Sequence, residues 1–207
     1  MSSKSSFVYC TISAAILDIN KPVWIFGDSW VSLYDTRWVG QAISLGYDGG
    51  WLLDGHAGRT SGEALKSLQN LIKISQPKMI VWLMGMNDND IDDKTPNAEW
   101  LETILQVQEI CKLYDITLIL YTIPSVPETQ GNYNKPGSSR NNNGKNTYVK
   151  SSGYRYVDGV SALGADSQGN WIEGYWQSDI DHAHTSEAGA RALMAQFLAD
   201  VPELLVN

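Results

Sequence analysis

Cysteine, histidine and positive charge are all scarce in this chain, and each shortage narrows what it can do. The 2 cysteines, Cys10 and Cys111, are too few and too far apart for a disulfide framework or a metal knuckle, so they read as buried or free thiols. Lys and Arg number 15 against 23 Asp and Glu, a formal net charge of −8. This argues against a nucleic-acid partner, since binding a phosphate backbone requires a basic surface that releases counterions. Anionic polymers are unsuitable substrates for the same reason. Only 3 histidines exist, His56, His182 and His184, so a dinuclear metal site would have little beyond carboxylates to draw on. No run approaches the roughly 20 apolar residues of a membrane span.

What remains is ordinary in bulk. With 207 residues, 43% of them hydrophobic, the chain can bury a sizeable core as one domain. Residues 1–20 read as an N-terminal extension and 21–207 as a single domain. Within the extension, Phe7 to Leu17 is apolar and follows Lys4, but Thr11 and Ser13 interrupt it and no small-x-small cleavage site follows. It reads as an edge strand rather than a signal peptide.

Apolar runs of strand length alternate with helical patterns, the signature of a parallel sheet covered by helices on both faces. The predicted strands are Val23 to Phe26, Trp51 to Leu53, Met79 to Met84, Thr117 to Tyr121 and Tyr154 to Val157. Helices are expected at Arg37 to Leu45, Ser61 to Ile74, Asn97 to Leu113 and Ser186 to Leu198. The third carries the clearest punctuation: Thr95 as a cap, Pro96 in the first turn, and a seam of Leu101, Ile104, Leu105, Gln108 and Cys111. Pro127 to Lys150, rich in Asn, Gly and Ser, reads as a long surface loop bordering a site.

Ligands of such sheets bind beyond the carboxyl ends of the strands, and the candidate chemistry falls there. Gly27-Asp28-Ser29 follows the first strand, His56 to Thr60 the second, and Gly85-Met86-Asn87-Asp88 the third. Ser29, after a turn-permitting glycine, can stand at the sheet edge as a nucleophile, provided that a histidine held by a carboxylate takes its proton. Two pairs have the required spacing, Asp181 with His184 and Asp179 with His182, and spacing does not choose between them. Asn87 offers an amide N–H for a developing oxyanion, beside the backbone N–H groups of Ser29 and Gly58. Asp28 and Asp88 read as hydrogen-bond partners of these residues.

These blocks resemble those of the SGNH hydrolases, also called GDSL-type esterases and lipases, over roughly Val23 to Leu198. Gly27-Asp28-Ser29 is similar to the nucleophile block, His56-Ala57-Gly58-Arg59-Thr60 to the second block with its oxyanion glycine (Gly62 being a rival), Gly85-Met86-Asn87-Asp88 to the Gly-x-Asn-Asp block, and Asp181-His182-Ala183-His184 to the Asp-x-x-His block. The family's glycine five residues beyond its histidine has its counterpart in Gly189, which selects His184 as base; Thr185 stands where members often carry proline. The resemblance implies a flavodoxin-like α/β/α three-layer sandwich with a five-stranded parallel sheet in the order 2-1-3-4-5. It also implies a Ser29–His184–Asp181 triad, an oxyanion hole from Ser29, Gly58 and Asn87, and no cofactor or metal.

The substrate is expected to be a small acyl ester, with acetyl on carbohydrate favoured. The 8 tryptophans are a high count, and Trp30 and Trp176 lie near the predicted site as candidate sugar platforms, with Trp171 close by. Trp24 and Trp82, inside strands, are expected in the core. Rival readings are a lipase or thioesterase of the same family, a metal-dependent phosphoesterase using Asp28, Asn87, Asp88, Asp181 and His184, and a non-catalytic flavodoxin-like binding protein. The last is disfavoured because the loop after the first strand lacks a phosphate-cradling run of Ser, Thr and Gly.

Overall fold

The computed structural model describes residues 21–32, 50–126, 140–178 and 181–205, with the side chains of 178, 181, 182 and 205 left aside. The N-terminal extension 1–20 and the helix expected over 37–45 lie outside the described residues. Five parallel strands form the central sheet: β1 (Val23–Gly27), β2 (Trp51–Gly55), β3 (Met79–Leu83), β4 (Thr117–Tyr121) and β5 (Arg155–Val157). Their spatial order is β2-β1-β3-β4-β5, as the resemblance implied.

All five residues of β1 and of β3 are buried, because each strand faces helices on both sides. Alternation along the strands then divides the core in two. Val23, Ile25, Val81 and Ile119 point to the face covered by α4 (Gly159–Leu163) and α5 (Glu187–Asp200), where Leu193, Met194 and Phe197 meet them. Trp24, Phe26, Ile80 and Trp82 point to the opposite face, under α1 (Ser61–Leu71) and α2 (Ala98–Leu113). Trp24 and Trp82 are therefore core residues, as their strand positions required.

Helix α2 differs in detail from its sequence reading. Its cap is Asn97, whose side-chain oxygen accepts the Trp100 N–H at 3.0 Å; Thr95 lies outside the helix. The buried seam runs through Trp100, Thr103, Ile104, Val107, Gln108 and Cys111, whereas Leu105 is 47% exposed. The phase is shifted because Trp100 turns inward and its indole N–H donates to the Met84 carbonyl at 3.1 Å.

The loop expected over 127–150 is corrected only at its end, residues 127–139 lying outside the described residues. Its end folds as α3 (Asn143–Ser151), with Lys145, Asn146 and Val149 buried. A further element was not anticipated, a two-stranded antiparallel sheet of β6 (Trp176–Ser178) and β7 (Asp181–Thr185) leading into α5.

Candidate active site

At the carboxyl end of β1 the chain turns at once. The Asp28 carbonyl accepts the N–H groups of Val31 at 3.2 Å and Ser32 at 3.0 Å, and the Ser32 hydroxyl donates to the Ser29 carbonyl at 2.9 Å. Ser29 is left half-buried at the sheet rim. The turn rests directly on the end of β2, since a Cβ at Gly55 would lie 2.3 Å from the Val31 carbonyl carbon and 2.4 Å from the Ser32 nitrogen. Glycine at 55 permits that close approach.

Strand β7 brings the other partner. Ser29 Oγ and His184 Nε2 are 2.8 Å apart across a separation of 155 residues. With the proton on Nδ1, the imidazole accepts from the serine hydroxyl, which is the ground state for general-base activation. His184, the histidine of one of the two spaced pairs, is thus at Ser29. Asp181 opens the same strand, where it pairs with Ser178, while its side chain and the whole of Asp179 lie outside the described residues. Next to Thr185, which is buried, Ser186 caps α5 by accepting the Gly189 N–H at 3.2 Å. The helix begins without the proline that the resemblance led one to look for.

Asn87 follows β3 and reaches the same rim. Its Nδ2 donates to the Arg59 carbonyl at 3.1 Å and approaches Asp28 Oδ2 at 3.4 Å, so one N–H is firmly engaged and the other loosely. Asp88 points away, accepting the backbone N–H of Ser61 at 3.0 Å and its hydroxyl at 2.9 Å, which ties this loop to the start of α1. Gly58 sits exposed in the turn after β2 with φ +74°, while its rival Gly62 lies inside α1.

Asp28 is the most perturbed carboxyl at the rim. Burial pushes it up to about 7, the Trp30 N–H (3.0 Å to Oδ1) and the charge of His184 pull it down, and the Asp88 carboxylate adds to the rise. Burial also raises Asp88, with the Ser61 N–H and hydroxyl opposing. Both carboxyls thus act as hydrogen-bond partners within the rim. They face different groups, Trp30 and Asn87 for one and Ser61 for the other, so they do not converge as ligands of a shared metal. Among the described residues no cluster of His, Cys, Asp and Glu is arranged to hold one.

The tryptophans separate into different roles. Trp30, expected as a sugar platform, is 4% exposed and packed edge-on against Tyr121 and Trp171, so it presents no face to a ligand. Its indole N–H donates to the Ala183 carbonyl at 2.8 Å. Trp171 is equally internal, donating to the Ser125 carbonyl at 3.0 Å. Trp176 is half-buried, on the strand paired with the His184 strand.

Two features escaped the sequence. Beside Gly58 lies a cavity of about 420 Å³ lined by His56, Ala57, Gly58, Arg59 and Glu63; the Asp54 carboxylate, buried and not part of the lining, holds Arg59 at 3.0 Å and His56 at 3.2 Å. Beneath the Asn87 loop, Lys145 is wholly buried and its ammonium reaches Asp90 Oδ1 at 2.7 Å and the Asp88 carbonyl. Burial lowers the Lys145 pKa and the Asp90 carboxylate opposes the drop.

The sequence matches no family model and no curated protein. Solved structures do match over nearly the whole chain. A GDSL-like lipase from Bacteroides thetaiotaomicron aligns with 18% identity, 95% of this chain and 97% of that one, at a TM-score of 0.67. A lipase/acylhydrolase from Enterococcus faecalis aligns with 18% identity, 88% and 96% coverage and a TM-score of 0.62. An acetylxylan esterase from Geobacillus stearothermophilus aligns with 15% identity, 86% and 92% coverage and a TM-score of 0.63. The chain therefore has the fold that these hydrolases share.

Proposed function

We propose that this chain is a serine ester hydrolase of the SGNH type that removes small acyl groups, acetyl above all, from a hydroxylated alcohol such as a carbohydrate. The observation that carries the reading is the 2.8 Å approach of His184 Nε2 to Ser29 Oγ at the carboxyl rim of the sheet. In the reaction His184 takes the Ser29 proton as Oγ bonds to the ester carbonyl carbon. The oxyanion rests on the N–H groups of Ser29 and Gly58 and on the loosely held N–H of Asn87, each such donor being worth about 100- to 1000-fold in rate. Collapse expels the alcohol, protonated by His184, and leaves an acyl-serine. Water, deprotonated by His184, then releases the acid and restores the hydroxyl. Asp181 is assigned the third position, holding the ring and stabilising its charged form.

The choice of a polar alcohol is supported by the cavity beside Gly58, whose His56, Arg59 and Glu63 suit hydroxyl groups better than a long acyl chain. Trp176, half-buried next to the His184 strand, is the remaining aromatic candidate for stacking on a sugar ring. The acetylxylan esterase among the structural neighbours is consistent with this choice.

The test is acetate release from acetylated xylan, compared with hydrolysis of long-chain aryl esters, together with mapping of a fluorophosphonate adduct. Ser29→Ala is expected to lower kcat at least about 10,000-fold, and the adduct is expected on Ser29. Retained activity in Ser29→Ala, or an adduct on another residue, refutes the assignment. Preference for long chains over acetyl refutes the substrate class alone.

A further inference from the structure

The residue after the serine reaches across to the strand that carries the histidine. Trp30 is anchored at its backbone, where its N–H donates to Asp28 Oδ1 at 3.0 Å. Its ring is held edge-on by Tyr121, centroids 6.1 Å apart at 64°, and by Trp171, 6.0 Å apart at 78°. At 4% exposure the indole has no freedom to swing away. From that fixed position Nε1–H donates at 2.8 Å to the carbonyl of Ala183, itself buried and directly preceding His184.

We propose that Trp30 is a positioning residue for the Ser29–His184 pair: its indole N–H fixes the Ala183 peptide, and through it the distance between hydroxyl and imidazole. The inference rests on the hydrolase reading above and deepens it. Ser29 and His184 belong to different parts of the chain, and β7 belongs to a small two-stranded sheet outside the five-stranded one. Its placement relative to β1 therefore depends on contacts such as this one. The side chain adjacent to Ser29 grips the residue adjacent to His184, so that any shift of one catalytic backbone is transmitted to the other. Such a device leaves substrate binding untouched and acts on the proton transfer, where a misplacement of about 1 Å costs on the order of 100-fold.

The test uses the full chain with three changes: Trp30→Phe, which keeps an aromatic ring and removes the donor; the benzothienyl isostere of tryptophan at position 30, which replaces N–H by sulfur at nearly constant shape; and Trp51→Phe. The last removes the same kind of bond from the same face of the sheet, the Trp51 indole N–H to the Leu204 carbonyl at 3.2 Å, at the start of β2, where Trp51 pairs with Val23 at the end of β1 away from Ser29. The measurements are kcat and KM on 4-nitrophenyl acetate and the rate of fluorophosphonate labelling, with near-ultraviolet circular dichroism reporting the fold. Both changes at position 30 are expected to lower kcat by about 10- to 100-fold with KM within about twofold, labelling slowing in parallel, while Trp51→Phe stays within about threefold of the parent. The isostere decides the matter if Trp30→Phe fails to fold. Full kcat in the isostere variant overturns the inference, as does an equal loss in Trp51→Phe, which reveals a general packing effect. A parent chain that neither cleaves esters nor takes the label sinks the hydrolase reading and this inference together. An active parent with an unimpaired isostere variant sinks the inference alone.

Discussion

Replacing Lys145 by methionine tests how the loop bearing Asn87 is held. The Lys145 and Asp90 side chains are both 0% exposed, with Nζ 2.7 Å from Asp90 Oδ1. The ammonium also donates to the Asp88 carbonyl, and the Asp90 carboxylate accepts the backbone N–H groups of Asn97 and Lys145, each at 2.8 Å. Lys145→Met fits the volume but leaves a buried carboxylate without its counter-charge, a change that costs about 3–5 kcal/mol. Against a total stability of about 5–15 kcal/mol, that is a large fraction. With a urea m value of about 2–3 kcal/mol/M, the midpoint should fall by about 1–2 M. Adding Asp90→Asn removes the orphaned charge while keeping an acceptor for Asn97, and should restore about half of the loss. Urea denaturation followed by tryptophan fluorescence reads all three proteins. A loss below about 1 kcal/mol in Lys145→Met refutes the internal ion pair as a structural anchor, and failure of Asp90→Asn to restore stability shows that lost packing, not the stranded carboxylate, carries the cost.

Asp28 makes stability depend on pH in a defined direction. Its carboxyl keeps its ordinary value near 3.8 when unfolded and is pushed up by burial to about 7 when folded, so between these values the native state holds the extra proton. Stability from this group is therefore greatest below the window and declines as pH rises through it, by on the order of 4 kcal/mol for the full shift. Thermal unfolding of Asp28→Asn should lack this decline, and parallel profiles for the two proteins from pH 4 to 8 refute the assignment. Cys111 is 2% exposed and burial pushes its thiol up to about 12. In a Cys10→Ser background, Ellman's reagent should therefore find no reactive thiol until denaturant is added, and rapid native labelling contradicts that burial. Gly55→Ala places a Cβ within 2.6 Å of the Val31 and Ser32 backbone, so it should displace the turn bearing Ser29 and lower kcat on a small ester by about 10- to 100-fold; parent-like kinetics refute the close approach.

The sheet was legible because its strands are buried on both faces. That condition forces continuous apolar runs such as Val23 to Phe26 and Met79 to Leu83, which stand out against any amphipathic background. The same reading misses elements whose burial is polar. Helix α3 enters the core through Lys145 and Asn146, the first paired with Asp90 and the second bonded to both the N–H and the carbonyl of Ile123 at 2.7 and 2.8 Å. A pattern that counts apolar residues scores this segment as loop. The misplaced seam of α2 has a related origin: Trp100 and Leu101 are both apolar, and what selects Trp100 for the interior is its N–H bond to the Met84 carbonyl, a partner in another element.

The candidate site shows the limit of short-range reading more sharply. Ser29 and Asn87 were nameable because side-chain chemistry restricts which residues can offer a hydroxyl or an amide, and the sheet places both at one rim; His184 was separated from His182 only by the family resemblance, through Gly189. The link between Trp30 and Ala183 offers no comparable signal, since the acceptor is a backbone carbonyl that every residue possesses, 153 positions away. Its donor was noticed, but as an aromatic face for a sugar, because sequence registers the ring and not its direction. A tryptophan carries both a stacking surface and a single N–H, and burial decides which is used: at 4% exposure the surface is consumed by Tyr121 and Trp171, leaving the N–H as the group that ties this ring to β7. The two roles predict opposite kinetics. A stacking platform lost at position 30 raises KM for polymeric substrates and spares small aryl acetates, whereas a lost positioning bond lowers kcat on both alike.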